Sequence, residues 1–437
     1  MKLINPHITV FEHQTIKLNQ VINGVKINDA ILKALQSYYG VKGVPFYSLV
    51  HNGIKFKEFV GVIQVGNLLI EVLPKADKSD ASESKWRDIL IGMLRAVGAF
   101  DIQSSSESNL KVKSNTILDL YFEMYLKEVE YLLHNGLIKQ YRKIEGNVTA
   151  LKGSLQFAKH LQQNLTHKER FYVNYTTYDV EHKLHFILYK TVLLLKLINT
   201  NANLHGRIGV LLLHFPEMPD SQVTDSTFEK LVFNRKNQSY KKAIEIAKLL
   251  LLQYHPDISN GRNHVLALMF DMNKLWEQFV YVSLRKNKTP ETTITAQTSK
   301  FFWKPGNGSR SKMRPDIVIN KDDKENCVVL DTKWKNLNGY NPSSNDLRQM
   351  YVYHEYYGAK RVALIYPGNP KKSSKGKFYP SKFYDKMDKE CSIILLEVPD
   401  STEANNGIIK TWQKTIHSQF VGWLNTAETK TVDTERK

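Results

Sequence analysis

The sequence predicts an α+β multidomain protein with a strand-rich N-terminal domain over residues 1–102, a mainly helical middle domain over 116–256, and a C-terminal α/β domain over 264–425. Three observations lead there. The first region alternates apolar and polar residues with a period of two, the middle spaces apolar residues by three and four, and the last switches repeatedly between the two patterns. A chain of 437 residues, 42% hydrophobic and carrying 22 Tyr and 19 Phe, has enough material for two or three cores.

In the first region HITVFEHQTIKL, PFYSLV and GVIQVGNLLIEVLPK read as strands, and Gly66-Asn67 inside the last is a hairpin-turn signal. INDAILKALQSYYG interrupts them as a helix, and WRDILIGMLRAVGAF follows them. The polar run QSSSESNLKVKSN, residues 103–115, reads as a linker. ILDLYFEMYLKEVEYLLHNGL then has helical spacing and stops at Gly136, a good helix end. RFYVNYTTYDV is an aromatic strand, and EHKLHFILYKTVLLLKLIN and YKKAIEIAKLLLLQ are further packed helices.

A break at HPDISNGRN opens the last region. HVLALMFDMNKLWEQFVYVSL reads as one long amphipathic helix with Glu277 among Trp276, Phe279 and Val280, and TTITAQTSKFFWK as a strand. DIVI and CVVL are two strands joined by the polar turn NKDDKEN, followed by the helix NDLRQMYVYHEYYGA and the strands RVALIYP and CSIILLEV. The final residues, 426–437, read as a flexible tail.

Composition narrows the partner. With 61 basic against 43 acidic residues the net charge is +18, which favours a polyanion such as DNA or RNA over an acidic small molecule, the alternative being a merely basic protein. Two cysteines, Cys327 and Cys391, are too few for a disulfide framework or a zinc site. No apolar run is long enough to span a membrane and the start has no signal core, so a cytoplasmic protein is expected.

Two of the apolar strands each carry an aspartate where a hydrophobe would pack better: Asp316 heads DIVI and Asp331 ends CVVL, with Lys333 two places on. Side chains on a strand alternate faces, so Asp331 and Lys333 point one way and Thr332 the other. An Asp-x-Lys pair alone is most often a solvated strand end. Here Asp316 after Pro315, Glu277 on the preceding helix, and Asp346, Gln349 and Tyr353 at helical spacing on the next one supply agreeing context. Glu277 reads equally as a metal ligand or a helix-edge carboxylate, and Tyr353 also reads as a packing residue. Asp322 and Asp323 sit in a turn, where Asp serves local hydrogen bonding.

Helix with Glu, strand, strand with PD, strand with DxK, helix with QxxxY: this order resembles the PD-(D/E)xK, restriction endonuclease-like nucleases. Phosphodiester hydrolysis needs a water activated and a highly charged phosphorane stabilised, and Mg²⁺ held by carboxylates does both. In that reading Asp316, Asp331 and Glu277 hold Mg²⁺, Lys333 orients or deprotonates the water or neutralises the phosphate, and Gln349 and Tyr353 order the surroundings.

Beyond these motifs, GVIQVGNLLIEVLPK, GLIKQYRKIEGNVTALKGSLQF, RFYVNYTTYDVEHKLHFIL and the nuclease blocks together resemble the McrC family, the nuclease subunits of the McrBC modification-dependent, 5-methylcytosine-specific restriction systems. The likeness runs from about residue 50 to about residue 370. It implies an endonuclease active on methylated double-stranded DNA only with a McrB-like AAA+ GTPase hexamer, whose GTP hydrolysis it stimulates through an N-terminal part that enters the ring. Basic insertions such as NPKKSSKGK depart from the shorter members, so target preference does not transfer.

No GxxxxGK[ST] occurs, so nucleotide is expected on the partner and not on this chain. Lys360, Arg361, Lys371, Lys372, Lys375 and Lys377 lie in a stretch without acidic residues that reads as a phosphate-tracking strip or as a solvated loop. A non-catalytic assembly and activator subunit, its nuclease fold kept as a DNA-binding scaffold, is the alternative function. Deleting residues 1–110 is expected to leave a separable nuclease domain.

Overall fold

The computed structural model describes residues 6–42, 45–75, 82–97, 117–255, 265–323, 325–337, 341–379, 389–399 and 407–425. The expected linker at 103–115, nearly all of the break before residue 264, and the tail at 426–437 lie outside the described residues. The chain folds into two compact units woven from separate segments, one of residues 1–6, 64–69 and 112–268 and the other of 7–63, 70–111 and 269–437. Three domains in series are therefore not what forms. The N-terminal strands and the helix Glu83–Ala96 share a unit with the C-terminal region.

In the first unit the helices Ile117–His134, Lys183–Ile198, Ala202–His214 and Lys241–Gln253 pack on one another. Tyr121 and Tyr125 are buried between them, and the Tyr125 hydroxyl donates to Leu188 O at 2.7 Å. Besides these helices the unit holds a three-stranded antiparallel sheet in which Gln140–Val148 pairs with Phe171–Asp179 over nine residues and Ser154–Leu155 flanks the latter. Gly153 leads into that flanking strand at φ +71°, and a Cβ there would lie 2.3 Å from Asn174 O, so only glycine fits.

The second unit carries a six-stranded sheet in the order Ile294–Ala296, Ile317–Ile319, Val328–Thr332, Arg361–Pro367, Glu390–Leu396, Ser374–Lys377. The central pairings, Val328–Thr332 with Arg361–Pro367 and that strand with Glu390–Leu396, are parallel, and the outer ones antiparallel. Parallel neighbours need a crossover, and the helix Ser344–Tyr357 supplies the first. Met350, Tyr353 and Tyr357 of that helix pack with Val318, Val329, Val362 and Leu364. Alternate residues Ile317, Leu330 and Ala363 are equally buried, so both faces of the sheet are covered. The helices Met272–Asn287 and Gly407–Asn425 pack on each other and on this sheet.

One expected helix is in fact two elements. Residues Val265–Asp271 form a strand and the helix begins at Met272, where the Asp271 carboxylate accepts the main-chain N–H groups of Asn273 and Lys274. A short apolar run such as VLALMF suits either period, and the N-cap decides the boundary. Likewise TTITAQTSKFFWK divides into the strands Ile294–Ala296 and Lys300–Trp303 around Gln297, whose φ is 50°.

The N-terminal segments bring further aromatic core to this unit. Trp86 stands 6.4 Å from Trp334, Trp334 5.3 Å from Trp276, and Trp276 6.0 Å from Trp412, ring centre to ring centre.

Candidate active site

Strand register brings the two aspartates together. Ile317 pairs with Leu330, so the residues one step outward, Asp316 and Asp331, fall opposite each other at the sheet edge. Thr332 pairs with Ile365, and the Lys333 N–H continues the parallel ladder to Ile365 O at 2.9 Å. Asp331 is only 2% exposed. Its Oδ2 is ion-paired with Lys333 Nζ at 2.8 Å. Asp316 accepts through Oδ2 from the Thr332 main-chain N–H at 2.6 Å and the Thr332 hydroxyl at 2.8 Å.

The neighbouring helix closes the site. Ser343 caps it, its hydroxyl accepting from the Asp346 N–H, and Asp346 reaches Lys335 at 2.8 Å and Lys333 at 4.0 Å. One turn on, Gln349 Nε2 donates to the Tyr353 hydroxyl at 2.6 Å and stands 3.4 Å from Asp331 Oδ1. Glu277 accepts from Gln297 Nε2 at 2.9 Å through Oε1.

Charge is out of balance here. Burial pushes Asp331 up to about 6, helped by the negative charge of Asp316 and opposed by Lys333. Burial and then Glu277 raise Asp316 against the two Thr332 hydrogen bonds, and burial raises Glu277 against Gln297. Lys333 would be pulled down by burial, but Asp331, Asp316 and Asp346 outweigh it and hold the amine as an ammonium. Asp316 and Asp331 share the Lys333 cation, while Arg314 acts on Glu277 and Lys335 on Asp346.

The donor set suits a hard divalent cation. Asp316 and Asp331 are facing buried carboxylates whose charges oppose each other, and Mg²⁺ takes one or two carboxylates while keeping waters and substrate oxygens. Among the described residues no group of three or more His, Cys, Asp or Glu is arranged to hold a metal ion. The candidate donors are therefore the pair Asp316 and Asp331, with Glu277 acting on them through charge.

The sequence signature described as McrBC 5-methylcytosine restriction system component matches residues 54–367. The chain belongs to the McrBC family. No curated protein sequence matches it. In fold it is similar to a chain of the refined half-complex from the tetradecameric assembly of Thermococcus gammatolerans McrB AAA+ hexamers with bound McrC. That alignment has a TM-score of 0.68 and 20% identity over 95% of this chain and 100% of that one. A chain of the Thermococcus gammatolerans McrBC complex aligns at TM-score 0.48 and 20% identity, over 64% of this chain and 88% of that one.

The structure of this McrBC-family chain separates the expected site residues. It gathers Asp316, Asp331, Lys333, Gln349 and Tyr353, and puts Glu277 within their field. Asp322 and Asp323 stay in their turn, where Asp323 accepts from the Glu325 N–H and from Asn326 Nδ2. Thr332 and Gln297 were not among the expected site residues, although the Asp-Thr-Lys order does place a hydroxyl beside both catalytic candidates, and Asp346 was read only for its helical spacing.

The basic strip of this McrBC-family chain needs correction. Arg361 is buried, its guanidinium donating to Trp423 O and Leu424 O and lying 3.9 Å over the Trp423 ring, so it is structural. Lys360 precedes the strand whose Arg361 pairs with Val328, the end of the sheet away from Asp331. Lys375 pairs with Glu390 along the edge strand, while Lys371 and Lys372 are exposed just past the strand end nearer the carboxylates. No helix among the described residues is long and apolar enough to cross a membrane.

Proposed function

We propose that this chain is the DNA-cleaving subunit of a McrBC-type restriction complex. Its C-terminal part would be a PD-(D/E)xK nuclease performing Mg²⁺-dependent phosphodiester hydrolysis on methylated double-stranded DNA. A McrB-like AAA+ GTPase hexamer would gate it and be stimulated by it, a partnership supported by family membership and by the likeness to a chain of the McrB–McrC assembly. The observation that carries the reading is the convergence of Asp316, Asp331 and Lys333 at one sheet edge, with Asp331 buried and paired to Lys333.

Asp316 and Asp331 would hold the Mg²⁺, which would supply Lewis acidity toward the phosphate and a water of lowered pKa. The chain does the rest. Thr332 fixes the rotation of the Asp316 carboxylate, and Gln349, held by the Tyr353 hydroxyl, steers Asp331. Lys333, paired with Asp331, is placed to act as a hydrogen-bond donor and cation beside the phosphate or to orient or deprotonate the attacking water. Asp346 keeps its ordinary charge, since Lys335 and the Ser343 cap outweigh its burial, and it holds the ammonium from the other side.

The test is nicking of a supercoiled methylated plasmid by the full chain with the AAA+ partner, GTP and Mg²⁺. Cleavage lost in Lys333→Ala and Asp331→Asn supports the reading. Partner assembly and GTPase stimulation without any cleavage by the wild type would make the chain a non-catalytic activator.

A further inference from the structure

The strand that delivers Lys333 ends at Thr332, yet the next two residues are held from three directions. The Lys333 N–H donates to Ile365 O at 2.9 Å, and the Trp334 N–H to Asn273 Oδ1 at 3.3 Å. The Trp334 indole N–H donates to Glu12 Oε1 at 2.8 Å. That same oxygen accepts the Lys75 main-chain N–H at 2.8 Å, and the Glu12 N–H donates to Leu73 O at 2.9 Å. The carboxylate thus belongs to a clamped corner of the N-terminal strands.

Packing alone gives no reason for a carboxylate at this place. The Glu12 side chain is 3% exposed, and its burial raises its pKa against both hydrogen bonds; an apolar side chain would fill the space without that penalty. What an apolar side chain cannot do is accept the indole N–H. Trp334 is 7% exposed, with Trp276 and Trp86 against it, so a ring without its acceptor has no water to turn to. It would shift within the aromatic cluster and carry its neighbour Lys333 with it.

We propose that Glu12 is a positioning residue for Lys333, acting through the Trp334 indole. The proposal rests on the nuclease reading for its effect on rate. A displacement of about 1 Å at a reacting group costs up to about 100-fold.

The full chain, with AAA+ partner, GTP and Mg²⁺, is followed in single-turnover cleavage of a methylated plasmid. Glu12→Ala and Trp334→Phe are expected to slow cleavage about 10- to 100-fold while GTPase stimulation and DNA retention hold. Glu12→Gln keeps the oxygen acceptor and is expected to return the rate to within about threefold of wild type. The double variant should be no slower than the slower single, since both remove the Glu12–Trp334 bond and only Glu12→Ala also removes the acceptor of the Lys75 N–H. Wild-type rates for Trp334→Phe, or multiplied losses in the double variant, would overturn the proposal. If Glu12→Ala melts early, Trp334→Phe decides, because it keeps an aromatic ring in the cluster and leaves the Glu12–Lys75 bond in place. Labelling of Lys333 by an amine-reactive reagent, read by mass spectrometry against Lys335, needs no cleavage. Altered Lys333 labelling in both variants supports positioning even if the wild type does not cut, which would count against the nuclease reading alone; unchanged labelling together with unchanged rates sinks it.

Discussion

Thr332 gives Asp316 two hydrogen bonds through a single carboxylate oxygen, at 2.6 Å from its main-chain N–H and 2.8 Å from its hydroxyl. The main-chain bond survives any substitution at 332 other than proline, but the hydroxyl is what stops the carboxylate from rotating about it. Thr332→Val, nearly isosteric, is therefore expected to cut cleavage roughly 10-fold or more, and Thr332→Ser to retain most of it. Equal rates for the two variants in a plasmid-nicking assay would show that the hydroxyl does not matter.

Asp331→Asn should abolish cleavage and leave the fold more stable in metal-free buffer. The sign follows from Asp331 standing near 6 when folded, above its unfolded value: the folded state loses stability relative to the unfolded as pH rises from about 4 through about 6. Removing the charge should recover on the order of 1–2 kcal/mol at pH 8 and nothing below pH 4. Urea melts at the two pH values measure it, and a destabilised variant at pH 8 contradicts it.

Basic residues of one stretch should divide into two classes. Lys371→Ala with Lys372→Ala is expected to weaken DNA binding and flatten the slope of log affinity against log salt by roughly 2, about 0.9 for each phosphate no longer neutralised. Arg361→Ala should instead lower the melting temperature and leave the salt slope alone, because its guanidinium is occupied by Trp423 O and Leu424 O. Binding isotherms across a salt series distinguish them.

Glu71, fully buried, accepts from Arg87 Nε at 2.7 Å and from a second Arg87 nitrogen, with His7 Nε2 at 3.5 Å. Burial would raise its pKa, but those partners together lower it. A depressed carboxylate contributes stability above its unfolded pKa and loses it as pH falls through the folded one. Glu71→Gln should cost about 3 kcal/mol at pH 7, with the gap to wild type narrowing as the medium is acidified toward pH 3. A gap independent of pH would mean the ion pair is not its source.

Deleting residues 1–110 should yield no folded nuclease. Trp86 and Glu12 lie in the same unit as Trp334 and Trp276, so the cut removes core and not an appendage. Circular dichroism and a cooperative melt of the truncated chain test this; a sharp transition would show the C-terminal part to be self-sufficient.

Much of the C-terminal part was legible in the sequence because its signals are local. The Asp-Thr-Lys alternation, the turn aspartates and the Gln349–Tyr353 spacing each depend on neighbours within four residues, and the fold keeps all three relationships. The division of VLALMF from its helix was not legible, since six apolar residues satisfy both periods. Arg361 looked like part of a basic loop because its carbonyl partners sit 62 and 63 residues away. Domain order failed for the same reason: nothing in the spacing of a chain shows that residue 12 meets residue 334.

That last pairing bears on how the protein is made. A ribosome extending the chain past residue 333 has already supplied Asp316, Asp331 and Lys333, but Trp412, which packs on Trp276 and Phe279, is still unsynthesised. Contacts spanning more than three hundred residues close late and slowly in any folding reaction. Fragments of this chain that end before Trp412 would therefore carry Asp316, Asp331 and Lys333 without the completed aromatic core behind them.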